Sequence, residues 1–163
     1  MSVKIRKMTG GEFEYFLQWS IRHHAEELTE ELHMSWEEAL REAEEEVAQM
    51  LPRGLQTEHN RLMTIEEESS GESAGFIWTI REEYEGRKQS FVCDFAIWEP
   101  KRRRGYGSRA LRLAEEDAAE DGCRESVLFA ADSNAAARAL YEKSGYRLLR
   151  REGYGQYMVK PLP

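Results

Sequence analysis

Three apolar runs separated by short polar turns constrain this chain more than any other feature. "RLMTIEE" from Arg61, "AGFIWTI" from Ala74 and "QSFVCDFAI" from Gln89 have the composition of strands. A Ser-Ser-Gly turn divides the first two and a charged turn around Glu85 and Gly86 divides the last two. The second and third runs read as an antiparallel meander, so a fold for this chain is built around a sheet.

The elements on either side follow from changes of period. "VKIRKM", Val3 to Met8, alternates with charges as a half-buried strand does. Phe13, Phe16, Leu17, Ile21, His24 and Leu28 then recur at three- and four-residue steps, which predicts a helix through "GEFEYFLQWSIRHHAEEL". A second helix begins at "SWEEALREAEEEVAQML", where Ser35 and Glu38 have the spacing of a capping box and Pro52 with Gly54 closes the segment. Most of its glutamates are expected to face water. Beyond the meander, Ser108 to Asp121 is predicted helical and ends at Gly122. "ESVLFAA" is continuously apolar, as suits a strand buried on both faces. "NAAARALYEKSGY" is a short helix begun by Ser133 or Asn134 and stopped by Gly145, and "RLLRREGYGQYMVK" supplies one or two closing strands. The 163 residues carry no repeat and no low-complexity linker, so residues 1–163 are expected to form a single domain with one site.

Composition narrows the partners. A net charge of -8 argues against nucleic acid or an anionic membrane, both of which select clustered positive charge. No stretch is apolar enough to span a bilayer and the N-terminus lacks the apolar core of a secretory signal, so a cytoplasmic location is the default expectation. Cys93 and Cys123 lack the spacing of a zinc site or a disulfide framework and read as reduced packing residues. His23, His24, His33 and His59 show no metal-ligand spacing, and no metal is expected.

One local exception stands out on this acidic chain: "EPKRRRGYGSRAL", Glu99 to Leu111, gathers Lys101, Arg102, Arg103 and Arg104 between a strand and a helix. At such a junction unpaired backbone N–H groups and the helix dipole favour an anion. Gly105 and Gly107 let a ligand approach the backbone, and Arg102 can add a charge-assisted contact. A pyrophosphate fits this chemistry, and so does a merely solvated basic loop. The P-loop and dinucleotide fingerprints are absent.

The downstream sequence weighs between them. "RRRGYG", Arg102 to Gly107, resembles the Arg/Gln-x-x-Gly-x-Gly/Ala signature of the GCN5-related N-acetyltransferase superfamily, whose loop holds the pyrophosphate of coenzyme A. "DFAIWEP" resembles the strand before that loop, and "NAAARALYEKSGYR" resembles the family's Asn-x-x-Ala-x-x-Leu-Tyr-x-x-x-Gly-Phe/Tyr segment, one helix and one strand later. The family's usual Pro-acidic order is reversed at Glu99 and Pro100, with the spacing from Ile97 to Arg102 kept. "HHAEEL" and "LPRGLQTEH" look like a bacterial branch whose acceptors are mostly unassigned.

The resemblance implies an α/β (α+β) fold: a mixed, mostly antiparallel sheet of six to seven strands flanked by about four helices. It implies acetyl-CoA as cosubstrate and a cofactor site of Phe95, Ala96, Ile97, Arg102, Arg103, Arg104, Gly105, Tyr106, Gly107, Ser108, Asn134 and Tyr141. Within it, the backbone of Phe95 to Ile97 would pair with the pantetheine arm and offer an N–H to the thioester oxygen. Tyr141 would protonate the leaving sulfur, a reasonable exchange between a phenol near pKa 10 and a thiol near 8.5. A lysine-like acceptor with a pKa of about 10.4 needs help losing its proton, and Asp94, the one acid in an apolar strand beside the thioester site, is the first choice for that base. Glu26, Glu27 and His59 are secondary candidates for binding the acceptor, which is a small-molecule amine, polyamine-like or otherwise cationic, or a protein or peptide amine. Exposed C-terminal strands leave room for a homodimer. Cys93 has no evident base beside it in sequence, so direct transfer in a ternary complex is favoured over an acyl-enzyme. Two other readings stand beside this one: a module of the same fold that senses acyl-CoA without turnover, and an acidic interaction protein with no small-molecule site.

Overall fold

In the computed structural model, residues 2–163 are described. Their elements run β1 (Val3–Lys7), α1 (Gly10–Leu32), α2 (Trp36–Met50), β2 (Asn60–Glu67), β3 (Ser73–Tyr84), β4 (Arg87–Ile97), α3 (Tyr106–Glu120), β5 (Glu125–Ala131), α4 (Ala135–Lys143), β6 (Arg147–Glu152) and β7 (Gly155–Pro161). Short 3-10 turns lie at Gly54–Gln56 and Glu99–Lys101. The expected mixed sheet with four helices is present, with strands in the order β1-β2-β3-β4-β5-β7-β6. Every adjacent pair is antiparallel except β4 with β5. The parallel pair needs a crossover, and α3 supplies it.

The chain forms two compact units, one of Met8–Glu58 and one of the N-terminal strand with His59–Pro163. In the first, Ala25 and Leu28 of α1 pack with Ala39 and Ala43 of α2. The alanines let the two backbones approach closely. Ser35 caps α2 by accepting from the Glu38 N–H at 3.2 Å. A fully reciprocal capping box opens α1: Thr9 Oγ1 accepts from the Glu12 N–H and the Glu12 carboxylate accepts from the Thr9 N–H at 2.9 Å. Five acids of α2, Glu37, Glu38, Glu42, Glu44 and Glu45, are exposed as expected, while Glu46 pairs with His24 of α1.

In the second unit, α3 and α4 share one face of the sheet. Tyr106, Ala110, Leu111 and Ala114 of α3 and Tyr141 of α4 meet Ile65, Ile77, Val92, Leu128 and Met158 of the strands. Ile65, Ile77, Leu111 and Leu128 are at most 1% exposed, and each such side chain contributes about 1.5–3 kcal/mol by leaving water. The apolar run of β5 lies between β4 and β7.

Two details of the β3–β4 pair set the course of β4. Trp78 faces Asp94 but Thr79 faces Val92, so Cys93 is an extra residue in a β-bulge. At Gly75, opposite Ile97, an added Cβ would lie 2.0 Å from the Ala96 carbonyl oxygen, so only glycine lets β3 lie this close to the end of β4.

Candidate active site

The site opens where the β4–β5 ladder stops. Parallel pairing runs from Gln89 opposite Glu125 to Val92 opposite Leu128, and the bulge at Cys93 follows at once. From there β4 continues along β3 to Ile97, while β5 continues along β7 to Ala131. The extra residue turns β4 away from β5 and separates two strands that are joined below it.

The Glu99–Lys101 turn leads from β4 into the basic loop, where Pro100 occupies the first turn and the Arg102 N–H donates to Glu99 O at 3.2 Å. Arg103 has φ 66° and Gly105 φ 77°, both left-handed. Gly105 is the N-cap of α3 and brings no side chain to bond its first N–H groups, so an outside acceptor can take them. The helix begins at Tyr106, two residues before the start expected from composition. The left-handed Gly105 sets that boundary, and its conformation depends on the loop rather than on helix propensity. At Gly107 an added Cβ would stand 3.5 Å from Leu140, 3.8 Å from Phe95 and 3.9 Å from Ile97. The loop, β4 and α4 therefore converge on one place.

Tyr141 lies there, 9% exposed and inside the core shared by Tyr146, Phe95, Ile97 and Leu140. Its ring packs against Tyr146 with centroids 6.0 Å apart. Burial, and secondarily the charge of Asp94, push its phenol up to about 12. That dependence brings together the two proposed catalytic side chains, which stand 47 residues apart in the chain. Asp94 itself is half-buried, and its Oδ1 accepts from the Phe95 N–H at 2.9 Å. This bond occupies one of the N–H groups expected to face the cofactor. Ala96 and Ile97 complete the strand end, and the Ile97 carbonyl accepts from Arg102 Nε at 2.9 Å.

The remaining candidates divide by what their side chains already do. Asn134 caps α4, its Oδ1 accepting from the Ala137 N–H at 3.1 Å. Arg102, Arg103 and Ser108 are exposed at the loop. Arg104 is exposed as well, but its Nη1 reaches Glu67 Oε2 at 2.9 Å, where the hydroxyl of the buried Tyr106 also donates, at 2.5 Å. Tyr106 is 2% exposed, so its backbone is what it can offer a ligand. Glu26 and Glu27 lie on α1, the first exposed and the second half-buried. His59 is exposed with φ 66°, and its carbonyl accepts from the Arg81 N–H, which puts it toward the Arg81 end of the sheet, away from the basic loop. Sequence reasoning misses Glu67, although Ile65 and Glu67 are in phase on β2 and both buried, a signal available from the alternation.

Neither Cys93 nor Cys123 is in a disulfide; Cys93 is the bulge residue and Cys123 is buried, its pKa raised by that burial. No described helix is long and apolar enough to cross a membrane. Among the described residues, no group of three or more His, Cys, Asp or Glu is arranged to hold a metal ion.

Comparison with known proteins places this geometry in a family. The model of the Acetyltransferase (GNAT) family matches residues 22–146. The sequence is 29% identical over 147 residues to a protein of Bacillus subtilis (strain 168) named "Uncharacterized N-acetyltransferase YycN", covering 90% of this chain and 94% of that one. The crystal structure of YycN superposes with a TM-score of 0.86 at 28% identity, covering 93% of this chain and 96% of that one. The fold is also that of PaiA N-acetyltransferase from Thermoplasma acidophilum in complex with coenzyme A, with a TM-score of 0.71, 19% identity and coverage of 99% of each chain. Spermidine N-acetyltransferase from Vibrio cholerae, solved with CoA and spermine, shares it with a TM-score of 0.68 at 15% identity, covering 98% of this chain and 95% of that one.

Proposed function

The chain belongs to the acetyltransferase (GNAT) family, and from that premise we propose that it moves an acetyl group from acetyl-CoA directly to a primary amine held beside it. The observation that carries this reading is the convergence of Gly107 at the head of α3 on Phe95 and Ile97 of β4 and Leu140 of α4, Phe95 and Leu140 being the chain neighbours of Asp94 and Tyr141, where β4 parts from β5.

In this reading the α3 N-terminus takes the pyrophosphate, with backbone from Gly105, Tyr106, Gly107 and Ser108 and charge from Arg102 and Arg103. The end of β4 lies along the pantetheine arm, and Asn134 borders it from the start of α4. The amine attacks the thioester carbonyl, a C–N bond forms and the C–S bond breaks. Asp94 takes the proton that the ammonium must lose before attack, Tyr141 gives its phenolic proton to the departing sulfur, and the second proton that the nitrogen sheds as the amide forms restores the phenol. A phenol held near 12 stays protonated at neutral pH, as a donor must. Its height is also a barrier to giving the proton up, and two effects lower it. The burial that raises the phenol raises a thiol in the same surroundings. When Asp94 accepts the amine's proton, its charge disappears, and with it one of the two causes that hold the proton on Tyr141. Removal of one proton thus favours delivery of the other.

A half-buried carboxylate beside the thioester also favours a cationic acceptor, since an ammonium group would relieve its cost of desolvation. The fold shared with a spermidine acetyltransferase is consistent with a polyamine-like amine and does not select one. Incubation with acetyl-CoA and a broad panel of amines, followed by thiol release and product mass, tests the reading. The expected result is free CoA together with an amine heavier by one acetyl group. Tight acetyl-CoA binding without turnover of any amine would favour an acyl-CoA sensor instead.

A further inference from the structure

The last residue of β2 is a carboxylate that ordinary packing would not place inside. Glu67 is 3% exposed, yet four donors converge on it. Oε1 accepts from Ser70 Oγ at 2.7 Å and Lys101 Nζ at 3.2 Å, and Oε2 accepts from Tyr106 OH at 2.5 Å and Arg104 Nη1 at 2.9 Å. Three of the four come from the loop and first helical residue that the family reading assigns to the cofactor. Lys101 reaches on to Glu72 at 3.1 Å, and Trp98 Nε1 donates to Ser73 Oγ at 3.0 Å, so the β2–β3 turn is tied to the same loop at two further points.

We propose that Glu67 is the positioning residue of the coenzyme A loop: it ties down Lys101 and Arg104 and anchors Tyr106, leaving Arg102, Arg103 and the α3 N-terminus to meet the anion. The four consecutive cations thereby serve two purposes. Lys101 and Arg104 are spent on a buried internal charge and hold the loop. Arg102 and Arg103 are left without a carboxylate partner among the described residues, Arg102 Nε being held instead by the Ile97 carbonyl at the end of β4. The Tyr106 ring enters the core at 2% exposure, and the hydroxyl bond to Glu67 fixes the direction in which the first turn of α3 presents its N–H groups. Hydrogen bonds, Ser70 first and then Tyr106, hold the Glu67 carboxyl down to about 2, so the latch is charged at neutral pH. Glu67 touches neither the reacting atoms nor the phosphates; it acts through the loop.

The inference rests on the coenzyme A reading, and the test separates the two. Calorimetric titration with CoA is run on the wild type, Glu67→Gln, Tyr106→Phe and the neighbouring exposed control Glu68→Gln, alongside steady-state kinetics on any amine that turns over. Glu67→Gln is expected to weaken CoA about tenfold and to raise KM for acetyl-CoA by the same factor, with kcat changed less than twofold. Tyr106→Phe keeps the ion pairs and is expected to weaken CoA about threefold, and Glu68→Gln to match the wild type. A wild type that binds no CoA would overturn the family reading and this inference with it. A wild type that binds, beside a folded Glu67→Gln that binds equally well, overturns the inference alone. If Glu67→Gln does not fold, Tyr106→Phe decides: wild-type affinity in that variant rejects the latch.

Discussion

The two ends of α3 rest on opposite buried charges. Beneath its C-terminal end Arg81, with a side chain 5% exposed, donates to Asp117 at 2.8 Å and Asp121 at 2.9 Å, and to Thr79 and Ser90. Beneath its N-terminal end Glu67 gathers Tyr106, Arg104, Lys101 and Ser70. Both groups are fully partnered, as burial requires. They differ in what they hold. Arg81 binds helix to strands where β4 is laddered on both sides, from Gln89 to Val92. Glu67 binds loop to strand beside the part of β4 that is laddered on one side only. The Arg81 end is closed by the chain itself, whereas in the proposed function the Glu67 end is the one a ligand completes.

Four substitutions bear on that contrast, in decreasing order of effect. Arg81→Met removes one partner of a buried network and is expected to cost about 3–5 kcal/mol of stability in urea denaturation, without changing CoA affinity in the folded protein. An equal loss of affinity would mean that the two ends are not separable. Tyr141→Phe should reverse the pattern: kcat falls about a hundredfold or more while CoA affinity stays within about twofold, since in the proposed mechanism the lost group acts only on the departing sulfur. Asp94→Asn should slow transfer about tenfold near neutral pH and less at high pH, where free amine is abundant; a loss independent of pH would assign Asp94 to positioning. The same variant should lower the Tyr141 pKa from about 12 by removing a neighbouring negative charge, which ultraviolet titration of the phenol reads.

The smallest effect lies in acid. The Glu67 carboxyl falls from an ordinary 4.5 to about 2 on folding. A depressed carboxyl contributes stability that is present above the unfolded pKa and is lost as pH drops toward the folded one. Wild-type stability should therefore decline between about pH 4.5 and 2 more steeply than that of Glu67→Gln in acid-unfolding curves. Parallel curves would show that the buried carboxylate is not coupled to folding.

Much of the closed end was legible in the sequence. The apolar run of β5 matches the observed strand from Glu125 to Ala131, because a strand covered on both faces leaves an uninterrupted signal. The open end was legible only as motifs. "RRRGYG" marks the loop, but nothing local shows that Arg104 and Tyr106 bond to Glu67, since that partner lies 37 and 39 residues away on β2. The bulge at Cys93 is equally hidden, because it is a mismatch between two strands and belongs to neither alone. The nearness of Asp94 to Tyr141 arises from packing α4 on the sheet, which spacing along the chain does not contain. At the α3 start the glycine was visible, but its left-handed φ, and so the helix boundary, was not.

Hydrogen–deuterium exchange along β4, with and without acetyl-CoA, tests the central claim most directly. Amides from Gln89 to Val92 are already laddered and should exchange slowly in both states. Amides from Gly105 to Ser108 at the head of α3, together with those at the one-sided end of β4 from Phe95 to Ile97, should exchange more slowly when acetyl-CoA is present, although β3 and Asp94 already hold part of the β4 set. Unchanged exchange at both of these segments, in protein shown to bind acetyl-CoA, would contradict the account by placing the cofactor elsewhere.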